Sequence, residues 1–200
     1  MKKKLISLLM TVVLVLSISV PASAVVVDGD DAQVAIPASE IQNNVNVTYE
    51  DGAMIINCAI YQETTGDNAR IKYYVPVGEV DFELRPLLGN GVADARWRIE
   101  LMNGDYIKGV TGTFYLWKDV LGPFNNFLDS ATVNEYYQYD AMLGARQSME
   151  ALRLDESEVD YDTAIIFEWE DFEVQGGAAN YVIFDGNQQG DLRDFPLSDD

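Results

Sequence analysis

Short runs in which apolar and polar residues alternate, broken by Asp-Gly and Asn-Gly pairs, set the limits on what this chain can fold into. A period of two matches an extended strand with one buried face, and it does not match a helix. Residues 45–50 lead into Asp51-Gly52, a pair suited to a type I′ turn, and then into 53–60. Pairing across that turn sets Tyr49 opposite Met54, Val47 opposite Ile56 and Val45 opposite Cys58, all on one face that can be buried. Glu50, Thr48, Asn46 and Asn57 gather on the other. Residues 95–102, Asn103-Gly104 and 105–117 repeat the pattern and predict a second hairpin. Its register pairs Leu101 with Tyr106, Ile99 with Lys108 and Trp97 with Val110.

Further strands are expected at 70–77, 79–85, 163–169 and 180–184. In 79–85, Val80, Phe82 and Leu84 point one way while Asp81, Glu83 and Arg85 point the other. Pro76 cannot donate to a ladder, which places its strand at an edge. From 134 to 158 the composition changes: Val, Ile, Thr and Pro vanish, and Ala, Met, Leu, Glu, Arg and Gln take over. Met142, Ala145, Met149 and Leu152 fall on one helical face, and Thr132 with Glu135 fits a capping box. The expected fold is an antiparallel β-sandwich of seven or eight strands with one short helix around 140–155.

The N-terminus reads as an address. Lys2, Lys3 and Lys4 precede an uncharged, mostly apolar run from Leu5 to Val20, and Ala22-Ser23-Ala24 offers a small-residue cleavage site. The run is short for a membrane span. The expectation is a secretory signal peptide over 1–24, cleaved after Ala24, in a leader of bacterial type. An N-terminal arm or lead-in strand over 25–44 and a single domain over 45–200 follow, with no membrane span left after signal removal.

Charge and residue types then exclude chemistries. There are 33 acidic residues against 13 basic, a formal charge of −20; without the three leader lysines it becomes −23, with 10 basic residues left. Such a surface repels nucleic-acid phosphates. With no histidine and one cysteine, the chain has no Ser-His-Asp triad, no Cys-His dyad, no intrachain disulfide and no multi-cysteine metal cluster. Cys58 lies on the apolar face of the first hairpin, where a thiol is inert. Lys108 falls on the core side of the second hairpin. It either reaches water along its stem or forms an isopeptide crosslink to an Asn or Asp.

Three candidate sites remain. Glu168 and Glu170 project from one strand face about 7 Å apart, a spacing used by glycoside hydrolases. Thr111, Thr113, Tyr115 and Trp117 form an outward face of two aromatics and two hydroxyls, suited to sugar rings or a protein partner. Asp185, Asn187 and Asp191 resemble the start of a calcium loop, although Pro196 stands where the closing bidentate acid belongs. No cofactor is implied, and calcium is the ion this acidity would admit. Asn46-Val47-Thr48 matches a glycosylation acceptor, a motif too common to carry weight. The reading is an exported, non-catalytic β-sandwich that binds an extracellular glycan or protein. The alternatives are a small secreted glycoside hydrolase using the Glu pair, and a structural or surface-assembly component crosslinked through Lys108 or Cys58.

Overall fold

The computed structural model describes residues 35–37, 41, 45–65, 72–120, 125–138, 143–154, 159–160 and 162–195. The expected signal peptide, most of the expected 25–44 arm and residues 196–200 lie outside them. In chain order the described strands are β1 (Ile36–Pro37), β2 (Asn46–Glu50), β3 (Ala53–Thr65), β4 (Lys72–Leu87) and β5 (Val92–Leu101). They continue with β6 (Ile107–Lys118), β7 (Asn126–Tyr136), β8 (Ala145–Arg153), β9 (Ala164–Gly176), β10 (Asn180–Val182) and β11 (Gly186–Asp191). Short 3-10 turns at Leu88–Asn90 and Leu192–Asp194 are the described helical elements.

The chain is mainly antiparallel β, as expected. The strands join in one sheet in the order β7-β6-β9-β10-β3-β4-β5-β8, with β1 on β4, β2 on β3 and β11 on β9. This sheet curls nearly into a barrel instead of dividing into two stacked sheets, and its outer strands β7 and β8 come side by side. Side chains bridge the seam. Ser148 Oγ donates to Glu135 Oε1 at 3.1 Å, and the Arg153 backbone N–H donates to Asp129 Oδ2 at 2.6 Å. Such edges, guarded by polar side chains, resist pairing with other chains.

The interior is aromatic. Phe82, Phe114, Phe167, Trp169 and Phe172 are all buried. Phe82 meets Phe114 edge-on at 5.5 Å and Phe172 at 4.9 Å, while Phe114 stacks on Phe167 at 5.1 Å. Each ring contributes about 1.5–3 kcal/mol through burial. Gly112 makes room for this cluster, since a Cβ there would run into the Phe172 ring.

The first hairpin forms in the expected register, with Tyr49 opposite Met54 and Val47 opposite Ile56. Asp51 (φ 48°) and Gly52 (φ 76°) both take the left-handed conformation that a type I′ turn needs. The second hairpin does not form. Asn103-Gly104 does turn the chain, with Gly104 at φ 79°, but β5 pairs with β4 and β8 while β6 pairs with β7 and β9. The reason lies in Val77 and Leu143. The Met102 N–H, which the hairpin would pair with Asp105, donates to the Val77 carbonyl at 2.8 Å, and the Ile107 N–H, which it would pair with Glu100, donates to the Leu143 carbonyl at 2.9 Å.

The helix around 140–155 is also corrected. Met142 lies outside the described residues, and Ala145–Arg153 is strand β8, hydrogen-bonded along β5 from Val92↔Arg153 to Glu100↔Ala145. Pairing with a partner strand overrides the intrinsic helical preference of Ala, Met and Glu. The two strands expected at 70–77 and 79–85 are one, β4. Gly78 does not interrupt it; its missing Cβ lets the Glu100 backbone approach. β4 runs inside the sheet, but its pairing with β5 ends at Gly78↔Leu101, so Pro76 occupies a stretch that β5 does not cover.

Candidate functional site

The outward face of β7, β6, β9 and β11 brings together residues that the sequence presents as separate candidates. Along β6, Thr111, Thr113, Tyr115 and Trp117 alternate with buried Gly112, Phe114 and Leu116 and are all partly exposed. Cross-strand register sets Thr113 beside Glu170, Tyr115 beside Glu168 and Trp117 beside Ile166. On the other side, β7 places Thr132, Ser130 and Phe127 against the same three positions. Beyond β9, Asn187 lies opposite Glu168 and Gln189 opposite Ile166. Both candidate pairs, carboxylate and aromatic, therefore share one surface.

At its centre Tyr115 and Trp117 stack, with ring centroids 6.2 Å apart and planes 29° from parallel. Phe127 closes the row edge-on to Trp117 at 5.3 Å and is 51% exposed. The Trp117 indole Nε1 donates to Glu168 Oε2 at 2.7 Å, which fixes both side chains. Glu170 carries no such tether. Its carboxyl is held above the usual carboxylate range by desolvation first, then by the charges of Glu168, Asp185 and Asp171. The face thus presents apolar rings, a pinned carboxylate, a second carboxylate that protonates more readily, and a border of hydroxyls and amides.

A bulge makes this arrangement possible. Between Thr111↔Glu173 and Thr113↔Glu170, β9 carries one extra residue, Asp171, whose φ is 54°. Its N–H donates to Asp185 Oδ1 at 2.8 Å. The extra residue lets Phe172 and Val174 enter the core while Glu173 and Gln175 stay outside with Glu168 and Glu170.

The calcium-loop residues are arranged differently from a coiled loop. Gly186–Asp191 is extended strand, so side chains on one face are spread about 7 Å apart and do not converge on an ion. Asp185 receives the Asp171 N–H, and Asp191 Oδ2 accepts from Arg193 at 2.7 Å. Among the described residues no group of three or more Asp, Glu, Cys or His could hold a metal.

Cys58 is buried, and its thiol is pushed up to about 12, by desolvation first and by Asp81 second. Lys108 is not opposite Ile99. It is the extra residue of a second bulge, between Ile107↔Gly176 and Gly109↔Gln175, which turns it off the core face. Its Nζ donates to the Gly177 carbonyl at 3.1 Å and lies 5.6 Å from the centre of the Tyr106 ring.

A further feature was not legible from the sequence. A groove of about 500 Å³ lies on the outward face of β3, β4, β5 and β8, lined by Ile55, Asp81, Glu83, Arg96, Arg98 and Gln147 among others. A second hollow of about 390 Å³, over Tyr137 and Arg146, shares Arg98 and Gln147 with it. The alternating charges of β4 and β5 were visible; that they face each other as Asp81↔Arg98 and Glu83↔Arg96 depends on strand pairing.

Among the described residues no helix is long and apolar enough to cross a membrane. No model of a known family, no curated protein and no solved structure matches this chain.

Proposed function

We propose that this chain is an exported, non-catalytic binding protein that holds a glycan on the outer face of β7, β6, β9 and β11. The observation that carries this reading is the Tyr115–Trp117 stack with Trp117 bonded to Glu168. Paired rings offer an apolar platform for the C–H face of a sugar, and a fixed carboxylate accepts hydroxyl donors at the ring edge. Thr113, Asn187 and Gln189 add donors and acceptors within the same surface. Export rests on the leader-like first 24 residues. The test is a glycan array probed with the chain from Val25 onward, with and without calcium, alongside Trp117→Ala and Glu168→Gln. Binding by the parent protein and its loss in Trp117→Ala is the expected result. No glycan bound, or equal binding by Trp117→Ala, overturns the reading and moves the weight to a protein ligand.

One observation favours a second reading. Glu170, held protonated to higher pH beside an anchored Glu168, has the unequal carboxylate pair that glycoside hydrolysis uses. Release of reducing ends from a bound glycan, abolished in both Glu168→Gln and Glu170→Gln, would replace binding by catalysis.

A further inference from the structure

The groove over β3, β4, β5 and β8 balances two arginines against two carboxylates on an otherwise acidic chain. Four ionic side chains face it, and three are already engaged. Glu83 accepts from Arg85 at 3.2 Å and pairs with Arg96 at 3.7 Å, Arg96 also reaches Asp94 at 3.5 Å, and Asp81 accepts from Asn57 Nδ2 at 2.9 Å. Arg98 differs. Its ion pair with Glu100 is 4.0 Å long between side chains 64% and 60% exposed, a geometry that contributes almost nothing and leaves the guanidinium fork available. Arg98 also stands where the two hollows meet, with the Gln147 amide beside it in both.

We propose that this groove is a second binding site, for an acidic sugar whose carboxylate docks on Arg98 and whose hydroxyls meet Asp81 and Gln147. A planar guanidinium matches a carboxylate with two parallel hydrogen bonds. Asp81, opposite Arg98 in the ladder, and Glu83 line the same groove, so a phosphate dianion meets more repulsion than a monoanionic carboxylate does. The same carboxylates accept sugar hydroxyls, and a volume of about 500 Å³ suits one or two sugar rings. The site does not depend on the aromatic face, which lies on other strands.

Calorimetric titration of the chain from Val25 with a uronic-acid disaccharide, at low salt, tests this. Arms with the matching neutral disaccharide and with a dipeptide bearing a free carboxylate run in parallel. The uronate is expected to bind at least about tenfold more tightly than the neutral sugar, and Arg98→Gln to lose about tenfold or more of that affinity. Arg98→Lys should fall between, because an ammonium keeps the charge and loses the fork. Lys72→Gln, which removes an exposed cation from another part of β4, should bind as the parent does. Thermal unfolding of each variant confirms that the fold is kept. Failure of the uronate to bind, equal binding of acidic and neutral sugars, or unchanged affinity in a folded Arg98→Gln overturns the proposal. Binding of the dipeptide in place of the uronate overturns it as well and reassigns the groove to peptide carboxylates.

Discussion

Asp105 is placed to lock the turn between β5 and β6 onto the end of β9, and replacing it should be costly. Its carboxylate accepts from the Tyr181 hydroxyl at 2.6 Å, the Ala178 N–H at 3.0 Å, the Gly177 N–H at 3.1 Å and its neighbour Tyr106 N–H at 2.9 Å. Asn103 Nδ2 in turn donates to the Tyr181 oxygen at 3.0 Å. Tyr181 is 1% exposed, so its hydroxyl loses a charged acceptor inside the fold when Asp105 becomes Ala. A hydrogen bond to a charged group contributes about 1.5–3 kcal/mol net. The amides of Gly177 and Ala178 are closer to water, which can replace part of what they lose. Counting the Tyr181 bond in full and discounting the amides gives a loss of about 2–4 kcal/mol for Asp105→Ala. For a domain of this size that is a drop of roughly 5–15 °C in Tm.

The pH dependence has a definite sign. Burial raises the Asp105 carboxyl, but the bonds from Tyr181, Ala178, Tyr106 and Gly177 outweigh it and leave the group below the ordinary aspartate value. A carboxyl depressed in the fold gives stability that is present above its unfolded value, near 3.9, and is lost as the pH falls through its folded value. The gap between parent and Asp105→Asn should therefore be widest at neutral pH and narrow steadily below about pH 4. Urea unfolding followed by tryptophan fluorescence, at pH 7 and in a series down to pH 2.5, measures it. A penalty under about 1 kcal/mol for Asp105→Ala at pH 7 refutes the latch. So does an Asp105→Asn gap that stays constant into acid.

Three further outcomes follow from the packing. Gly112→Ala drives a Cβ into the buried Phe172 ring and should cost about 1–3 kcal/mol in chemical denaturation, and a variant as stable as the parent would show that Phe172 has room to move. Asp171→Gly relieves a left-handed residue and should gain up to about 1 kcal/mol, whereas Asp171→Val at the same φ should lose stability; equal midpoints for the two would remove the bulge strain from consideration. Cys58 should resist a maleimide at pH 8 in the native protein and react once the protein is unfolded, because burial and a thiol near 12 suppress the thiolate; rapid stoichiometric labelling of native protein contradicts that placement.

What the sequence disclosed was the local part of the fold. The β2–β3 hairpin is legible because Asp51-Gly52, the alternation of 46–50 and the apolar residues Met54, Ile56 and Cys58 lie within one short stretch and agree with each other. The turn at Asn103-Gly104 is legible for the same reason, but its strands separate because Val77 and Leu143, remote in sequence, take the Met102 and Ile107 N–H groups. β8 was unreadable from periodicity. It lines the seam with Arg146, Ser148 and Glu150 on the side that faces the barrel interior, and with Gln147, Met149 and Ala151 on the side that faces out, so neither face is apolar. An edge strand of that kind carries no hydrophobic signal of period two, and its good helix formers point the other way. The site divides likewise. Tyr115, Trp117, Glu168 and Glu170 were candidates and Phe127, which joins the rings from β7, was not; their meeting required β6 to pair with β9, a contact between segments about fifty residues apart.

The extra residue at Asp171 shows how one local irregularity creates that meeting. Inward residues run Ile165, Phe167, Trp169 at odd positions and then Phe172, Val174, Gly176 at even ones. A strand of unbroken alternation would have to bury Asp171 and Glu173 or expose Phe172 and Val174, and either choice destroys the core beside Phe82 and Phe114. The bulge resolves the conflict at the cost of a single positive φ. It also increases the local twist, and it does so next to Glu170, whose carboxyl then sits near Asp171 and Asp185 as well as Glu168. A strand built only for packing could have avoided this by omitting one residue. Keeping it holds a second, untethered carboxylate at the rim of the Tyr115–Trp117 platform, and that placement is what gives the face its combination of rings, fixed charge and adjustable charge.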